Sequence, residues 1–145
     1  MHGPEKSPVL VIDTNVVVSG LLRSGSKPNE VLRRVVLEQA VLIFDEWIWA
    51  EYIEVLSRPS LKIPFNLVLD WLITVRLLGI IIQPSPLTPP PPYLPDESDI
   101  PFAEVAVTAR ATALVSGNAR HFAFLETYGV MVLSPAAFLE KFPYT

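Results

Sequence analysis

The sequence predicts an α/β fold: a three-layer sandwich around a mainly parallel five-stranded sheet. Two observations carry that reading. Five short apolar runs recur along the chain without polar alternation, as in strands covered on both faces. Helical patterns lie between them, and strands alternating with helices imply right-handed crossovers. At 145 residues the chain makes one domain, 1–145.

The first run, Val9 to Ile12, ends on Asp13. A helix follows over Pro28 to Gln39, with Pro in its first turn and Val31, Leu32, Val35 and Val36 at helical spacing. The second run, Val41 to Phe44, ends on Asp45, a natural N-cap for a helix over Glu46 to Ser57. Phe65 to Leu78 is the next helix, stopped at Gly79 as a C-terminal cap. Ile80 to Gln83 is the third run. Pro84 to Pro95 then reads as extended polyproline II, the main part of a stiff connector over 84–98. A helix over Asp99 to Thr112 places Phe102, Val105, Ala106 and Ala109 on one face. The fourth and fifth runs are Ala113 to Ser116 and Val130 to Leu133, with a last helix starting after Ser134-Pro135.

Composition excludes several classes. Half the residues are apolar and 18% are charged, which rules out wholesale disorder. The formal charge of −4 argues against duplex DNA binding driven by overall charge. With no cysteine, disulfides, thiolate zinc sites and cysteine nucleophiles are out. The apolar stretch Val9 to Leu22 is broken by Asp13, Thr14 and Asn15, which suits neither a membrane span nor a secretory signal. The expectation is a cytoplasmic protein with no membrane partner.

Parallel sheets bind ligands beyond the carboxyl ends of their strands. Asp13, Thr14 and Asn15 follow the first run, Ser116 and Asn118 the fourth, and Asp99 opens the helix leading into it. Glu51 falls at the flank of an apolar helical face, between Trp47 and Val55. Asp13, Glu51 and Asp99 could therefore meet at one end of the sheet. Clustered carboxylates need a cation or they raise one another's pKa, and Mg²⁺ or Mn²⁺ suits an oxygen donor set. Asp96 and Glu104 are secondary acids, and the wheel puts Glu104 opposite the core face of its helix. His121 reads as a helix-start or surface residue.

These residues resemble the PIN domain family. Val11-Ile12-Asp13-Thr14-Asn15-Val16 is similar to its opening motif, and Glu51-Tyr52-Ile53-Glu54-Val55-Leu56-Ser57-Arg58-Pro59 to its second. Asp96-Glu97-Ser98-Asp99 with Phe102, Glu104 and Ala106 resembles the third motif, and Val115-Ser116-Gly117-Asn118-Ala119-Arg120-His121-Phe122 the fourth. The likeness runs from about Val9 to Phe142. It implies strand order 3-2-1-4-5, Asp13, Glu51 and Asp99 as metal-binding acids, and cleavage of single-stranded RNA. It also implies the toxin of a toxin–antitoxin pair with a cognate antitoxin protein as partner. Asn118 stands where the family usually has Asp, so a fourth negative charge is missing from the catalytic set. Asn15 is expected to orient Asp13 or a water, and Thr14 or Ser116 to donate to a phosphate oxygen.

Other readings fail at named residues. A phosphatase of the haloacid dehalogenase type needs Asp-x-Asp, and position 15 is Asn. A dinucleotide enzyme wants Gly-x-Gly-x-x-Gly after the first strand, which is absent. The alternative that survives is a degenerate PIN scaffold that binds RNA or protein without cutting. Phe65 to Leu78 is apolar around most of its circumference, which predicts burial of its outer face in a homodimer.

Overall fold

The computed structural model describes residues 7–91 and 96–143. Part of the proline-rich connector, 92–95, lies outside the described residues. In chain order the elements are β1 (Val9–Ile12), α1 (Thr14–Leu22), α2 (Lys27–Val36), β2 (Val41–Phe44), α3 (Glu46–Leu56), α4 (Phe65–Leu78), β3 (Ile80–Ile81), α5 (Ile100–Thr108), β4 (Ala113–Val115), β5 (Met131–Leu133) and α6 (Pro135–Lys141). A 3-10 turn, Pro59–Leu61, precedes α4, and a 3-10 segment, Ala119–Tyr128, joins β4 to β5.

The five strands pair in the order β3-β2-β1-β4-β5, all in parallel. The chain steps from β1 to β2 to β3 toward one edge, then crosses to β4 and β5 on the other. With right-handed crossovers, that reversal puts α1, α2 and α4 on one face and α5 with the 3-10 segment on the other. The contacts agree: α2 packs on α1, α4 and α6, and α5 packs on β1, β2 and the 3-10 segment. α3 starts directly at the carboxyl end of β2 and reaches both α1 and α5. Leu10, Val11, Ile12, Leu42, Leu114 and Val115 in the central strands are fully buried, which is why these strands carry no alternating polar residues.

Local chemistry explains most boundaries. Ser26, Asp45 and Ser134 cap α2, α3 and α6, each side chain accepting the N–H of the residue three positions on. Two helices are shorter than their apolar periodicity predicts. The chain turns left-handed at Glu38 (φ 58°), just past α2, and at Arg110 (φ 52°), just past α5. A non-glycine residue in that conformation carries no strong sequence signal. β3 has two residues, not the four predicted, because Gln83 leads into a run of prolines that cannot donate to a ladder. α1 carries no predicted helical pattern: it is apolar nearly throughout, so periodicity cannot reveal it. The sequence reading also missed the 3-10 segment.

Gly79 ends α4, but not through the left-handed turn expected of a capping glycine. Its φ is −78°, an extended conformation open to any residue. The requirement is close approach: an added Cβ would lie 2.6 Å from the Val75 carbonyl oxygen and 2.8 Å from Cε1 of Phe44.

α4 buries only the stripe Val68, Trp71 and Val75. Its opposite face stays bare, with Phe65 and Leu77 each 76% exposed and Leu69 and Ile73 43% and 47%. The described connector residues are tied elsewhere. The Ser85 N–H donates to Thr108 Oγ1 of α5, and the Tyr128 hydroxyl donates to the Pro89 carbonyl.

Gly79→Ala is expected to destabilise the domain by about 1–3 kcal/mol, since the new methyl group meets backbone as well as a buried ring. Urea denaturation should read this as a lower midpoint at unchanged slope. An unchanged midpoint would mean that α4 and β2 can separate at little cost.

Candidate active site

Two aspartates end two adjacent strands, and their fates differ. Asp45, after β2, is buried and caps α3, its Oδ1 accepting the Ile48 N–H at 2.8 Å. Asp13, after β1, stands at the N-terminus of α1 yet makes no cap hydrogen bond. The β1–β4 register pairs Ile12 with Val115, so the next residues, Asp13 and Ser116, face one another. The fully buried Ser116 hydroxyl donates to Asp13 Oδ2 at 2.7 Å and accepts the Asn118 N–H at 2.9 Å. Ser116 thus ties the loop after β4 to the acid after β1.

Thr14 and Tyr52 do the same for α3. The buried Thr14 hydroxyl donates to Glu51 Oε2 at 2.7 Å. Tyr52, fully buried beside Glu51 in sequence, donates its hydroxyl to the Ile12 carbonyl at 2.5 Å. The last carbonyl of β1 is therefore held by α3, one residue before Asp13. The sequence reading gave Tyr52 no part in the site. Its signal was a phenol on a buried helical face, where the hydroxyl needs a partner.

α5 supplies the third acid. Asp99 is half-buried at its N-terminus and makes no cap hydrogen bond. As numbers rise along α3 they fall along α5. Asp45 and Glu104 interact by charge, Trp47 and Phe102 meet edge to face at 6.1 Å, and Glu51 acts on Asp99 by charge. The two helices therefore run antiparallel, with an aromatic pair between two acidic pairs.

Several expected roles differ in the structure. Thr14 and Ser116 were expected to donate to a phosphate oxygen, but both hydroxyl protons go to carboxylates. Asn15 holds the opposite loop, its Oδ1 accepting the Gly117 N–H at 3.1 Å. Asp96 is exposed and closes its own turn, accepting from the N–H and hydroxyl of Ser98, which lowers its pKa. Glu104 is half-buried rather than solvated, because α5 packs on α3. Burial raises its pKa, and Asp45 adds to the rise. Asn118 is exposed in the loop after β4. His121 acts by charge on Asp13, Asp96 and Asp99 and lowers the pKa of each.

Electrostatics binds the three principal acids into one set. Burial raises the pKa of Asp13, against donation from Ser116 and the pull of the nearby Thr14 and Asn15 N–H groups. Burial also raises Glu51, with Asp13 and Glu54 adding to it, while Thr14 and Arg58 oppose. Asp99 is raised by burial and then by Asp13, Asp96 and Glu51. The ion pairs of the described residues are Arg33–Glu30 and Arg58–Glu54, so none of these three acids is directly ion-paired among them, and His121 and Arg58 act on their charge only from a distance.

The donor chemistry fits a hard divalent cation: carboxylate oxygens, partly desolvated and mutually repelling. Their placement is not that of a finished chelate. Among the described residues, no three Asp, Glu or His side chains stand close enough together to hold an ion. The sequence reading expected Asp13, Glu51 and Asp99 to converge on one. Instead they sense one another's charge without closing, each like charge held off the others and one oxygen each of Asp13 and Glu51 drawn to a hydroxyl.

The fold and site are those of an α/β domain with a parallel five-stranded sheet and interacting acids beyond its strand ends. The model of the PIN domain family matches residues 9–120, and the chain belongs to that family. PIN domains are generally nucleases and typically use divalent metal ions. The match spans β1 through β4 and stops before β5 and α6. No curated protein matches the chain. Among the described residues, no helix is long and apolar enough to cross a membrane.

An acid with a raised folded-state pKa gives stability that is full below its unfolded pKa, about 4, and lost as pH rises through the raised value. In EDTA the melting temperature is therefore expected to be lower at about pH 7 than at about pH 4. Asp13→Asn should flatten that slope and raise Tm at about pH 7 by a few degrees, on the scale of ~2–4 °C per kcal/mol. Equal melting temperatures at both pH values would mean that the Asp13 charge is already compensated.

Proposed function

We propose that this chain is a divalent-cation-dependent endoribonuclease that cleaves single-stranded RNA, the toxin of a toxin–antitoxin pair with a cognate antitoxin protein. One observation carries the reading. Asp13, Glu51 and Asp99 raise one another's or their own cost of ionisation at a single end of the sheet, with no basic side chain among the described residues directly ion-paired to them. A fold that keeps such charge without a direct ion pair has a use for a cation. Asp13, Glu51 and Asp99 would hold Mg²⁺ or Mn²⁺, which when bound polarises a phosphoryl oxygen and acidifies a water for in-line attack.

The chain's own residues do the positioning. Ser116 fixes one oxygen of Asp13. Thr14 does the same for Glu51. Tyr52 holds the carboxyl end of β1 against α3, and Asn15 clasps the β4 loop through Gly117. That clasp sets where Asn118 stands, and its amide offers a neutral oxygen in the fourth position.

Metal-dependent turnover of a single-stranded RNA is expected, abolished by EDTA and lowered at least about a hundredfold by Asp13→Asn, which removes one ligand charge. A protein that binds the strand with Mn²⁺ and never cuts it would instead be the degenerate scaffold that Asn118 and the open acid set favour. Turnover that survives both treatments would refute metal-assisted hydrolysis at these residues.

The bare face of α4 supports a homodimer as part of the same reading. Phe65, Leu69, Ile73 and Leu77 form an i, i+4 row along the helix, and Ile80 and Ile81 of the edge strand β3 are exposed as well. Two such rows packed across a twofold axis interdigitate as ridges into grooves. Light scattering at micromolar concentration should give about twice the chain mass of 16.1 kDa, and Leu77→Glu should return it to one copy. A single-copy mass for the wild type would overturn the dimer.

A further inference from the structure

We infer that Trp47 is a stacking platform for one base of the RNA strand, one helical turn from the acids. The inference rests on the reading of the site as one for RNA, and it deepens that reading by naming what grips the strand. The chain carries 3 tryptophans. Trp71 is buried on the inner face of α4, and Trp49 packs on Phe44 with the Arg76 guanidinium 5.0 Å over its ring. Trp47 is 41% exposed, and among the described residues its one ring contact is the edge-to-face meeting with Phe102. A Phe ring at 83° braces the indole through an edge, so it occupies at most one of the two indole faces.

Its position ties it to the acids. Trp47 lies four residues before Glu51 on α3, and Phe102 lies three residues after Asp99 on α5. Residues at those spacings are neighbours on a helix surface, about 5–6 Å apart. A base reaches its own phosphate across a similar distance. A base lying on the indole therefore sets its phosphate over Glu51 and Asp99. An acidic chain gains little from general attraction to a polyanion, so base contacts carry more of the grip. Stacking suits an unpaired strand, because any base has a face to offer and a duplex hides it.

The test uses the full-length protein, Mn²⁺ and a short fluorescein-labelled single-stranded RNA, with anisotropy recorded before turnover and kinetics on the same strand. Trp47→Ala is expected to weaken binding about tenfold and raise KM similarly while kcat changes little. Trp47→Phe, which keeps a ring, should stay within about threefold of the parent. Strands with one abasic position, scanned along their length, should include one whose loss of affinity does not add to that of Trp47→Ala. A residue that only braced α3 on α5 would show no such non-additivity. Parent-like binding by Trp47→Ala, or additive losses at every position, would overturn the platform and leave the RNA reading standing. A wild type that neither binds nor cuts the strand would overturn both.

Discussion

Everything at the carboxyl end of the sheet depends on the parallel pairing of β1 with β4. Because Ile12 sits opposite Val115, the two residues that leave the ladder together are an acid and a serine. Their hydrogen bond, 2.7 Å long, is the seam across which the two halves of the chain meet. A one-residue slip would move each β1 side chain to the opposite buried face, where the packing is shaped for its neighbour, and carry Asp13 away from Ser116. The apolar fully buried residues of both strands forbid that slip, so the core specifies the site.

The same arrangement stores electrostatic cost. Asp13 and Glu51 each lean on a hydroxyl, and among the described residues neither has a basic side chain directly ion-paired to it. Hydroxyl donors are neutral: they orient a carboxylate and ease its desolvation without cancelling its charge. An arginine in either place would have stabilised the domain and closed the site. Asp45 shows the other solution within one chain, where a strand-ending carboxylate is used up on helix N–H groups.

Much of this was legible in the sequence, for physical reasons. Strands buried on both faces write themselves as unbroken apolar runs, so β1 and β2 were read to the residue. Capping chemistry marked Asp45 and Ser134. Asp13, Glu51 and Asp99 could be placed at one end of the sheet because each follows a strand or opens or flanks a helix. Long-range hydrogen bonds were not legible. Nothing local says that Thr14 donates to a residue 37 positions on, or that Tyr52 reaches back to Ile12. Glu104 was misjudged because a wheel sees one helix, and its burial comes from a second helix lying across it. α1 went unseen because an element apolar on all sides has no period to detect.

α3 carries the exposed indole, the half-buried acid and the buried phenol within six residues. A helix is rigid on this length scale, so these three groups share one position and one orientation. Shifting α3 along its axis would move the strand's grip, the spacing of charge and the anchor of β1 all at once. Improvement of any one by moving the helix is therefore coupled to change in the others. Variation at this wall is confined to exchanging one side chain at a time, on a backbone that has to stay where it is.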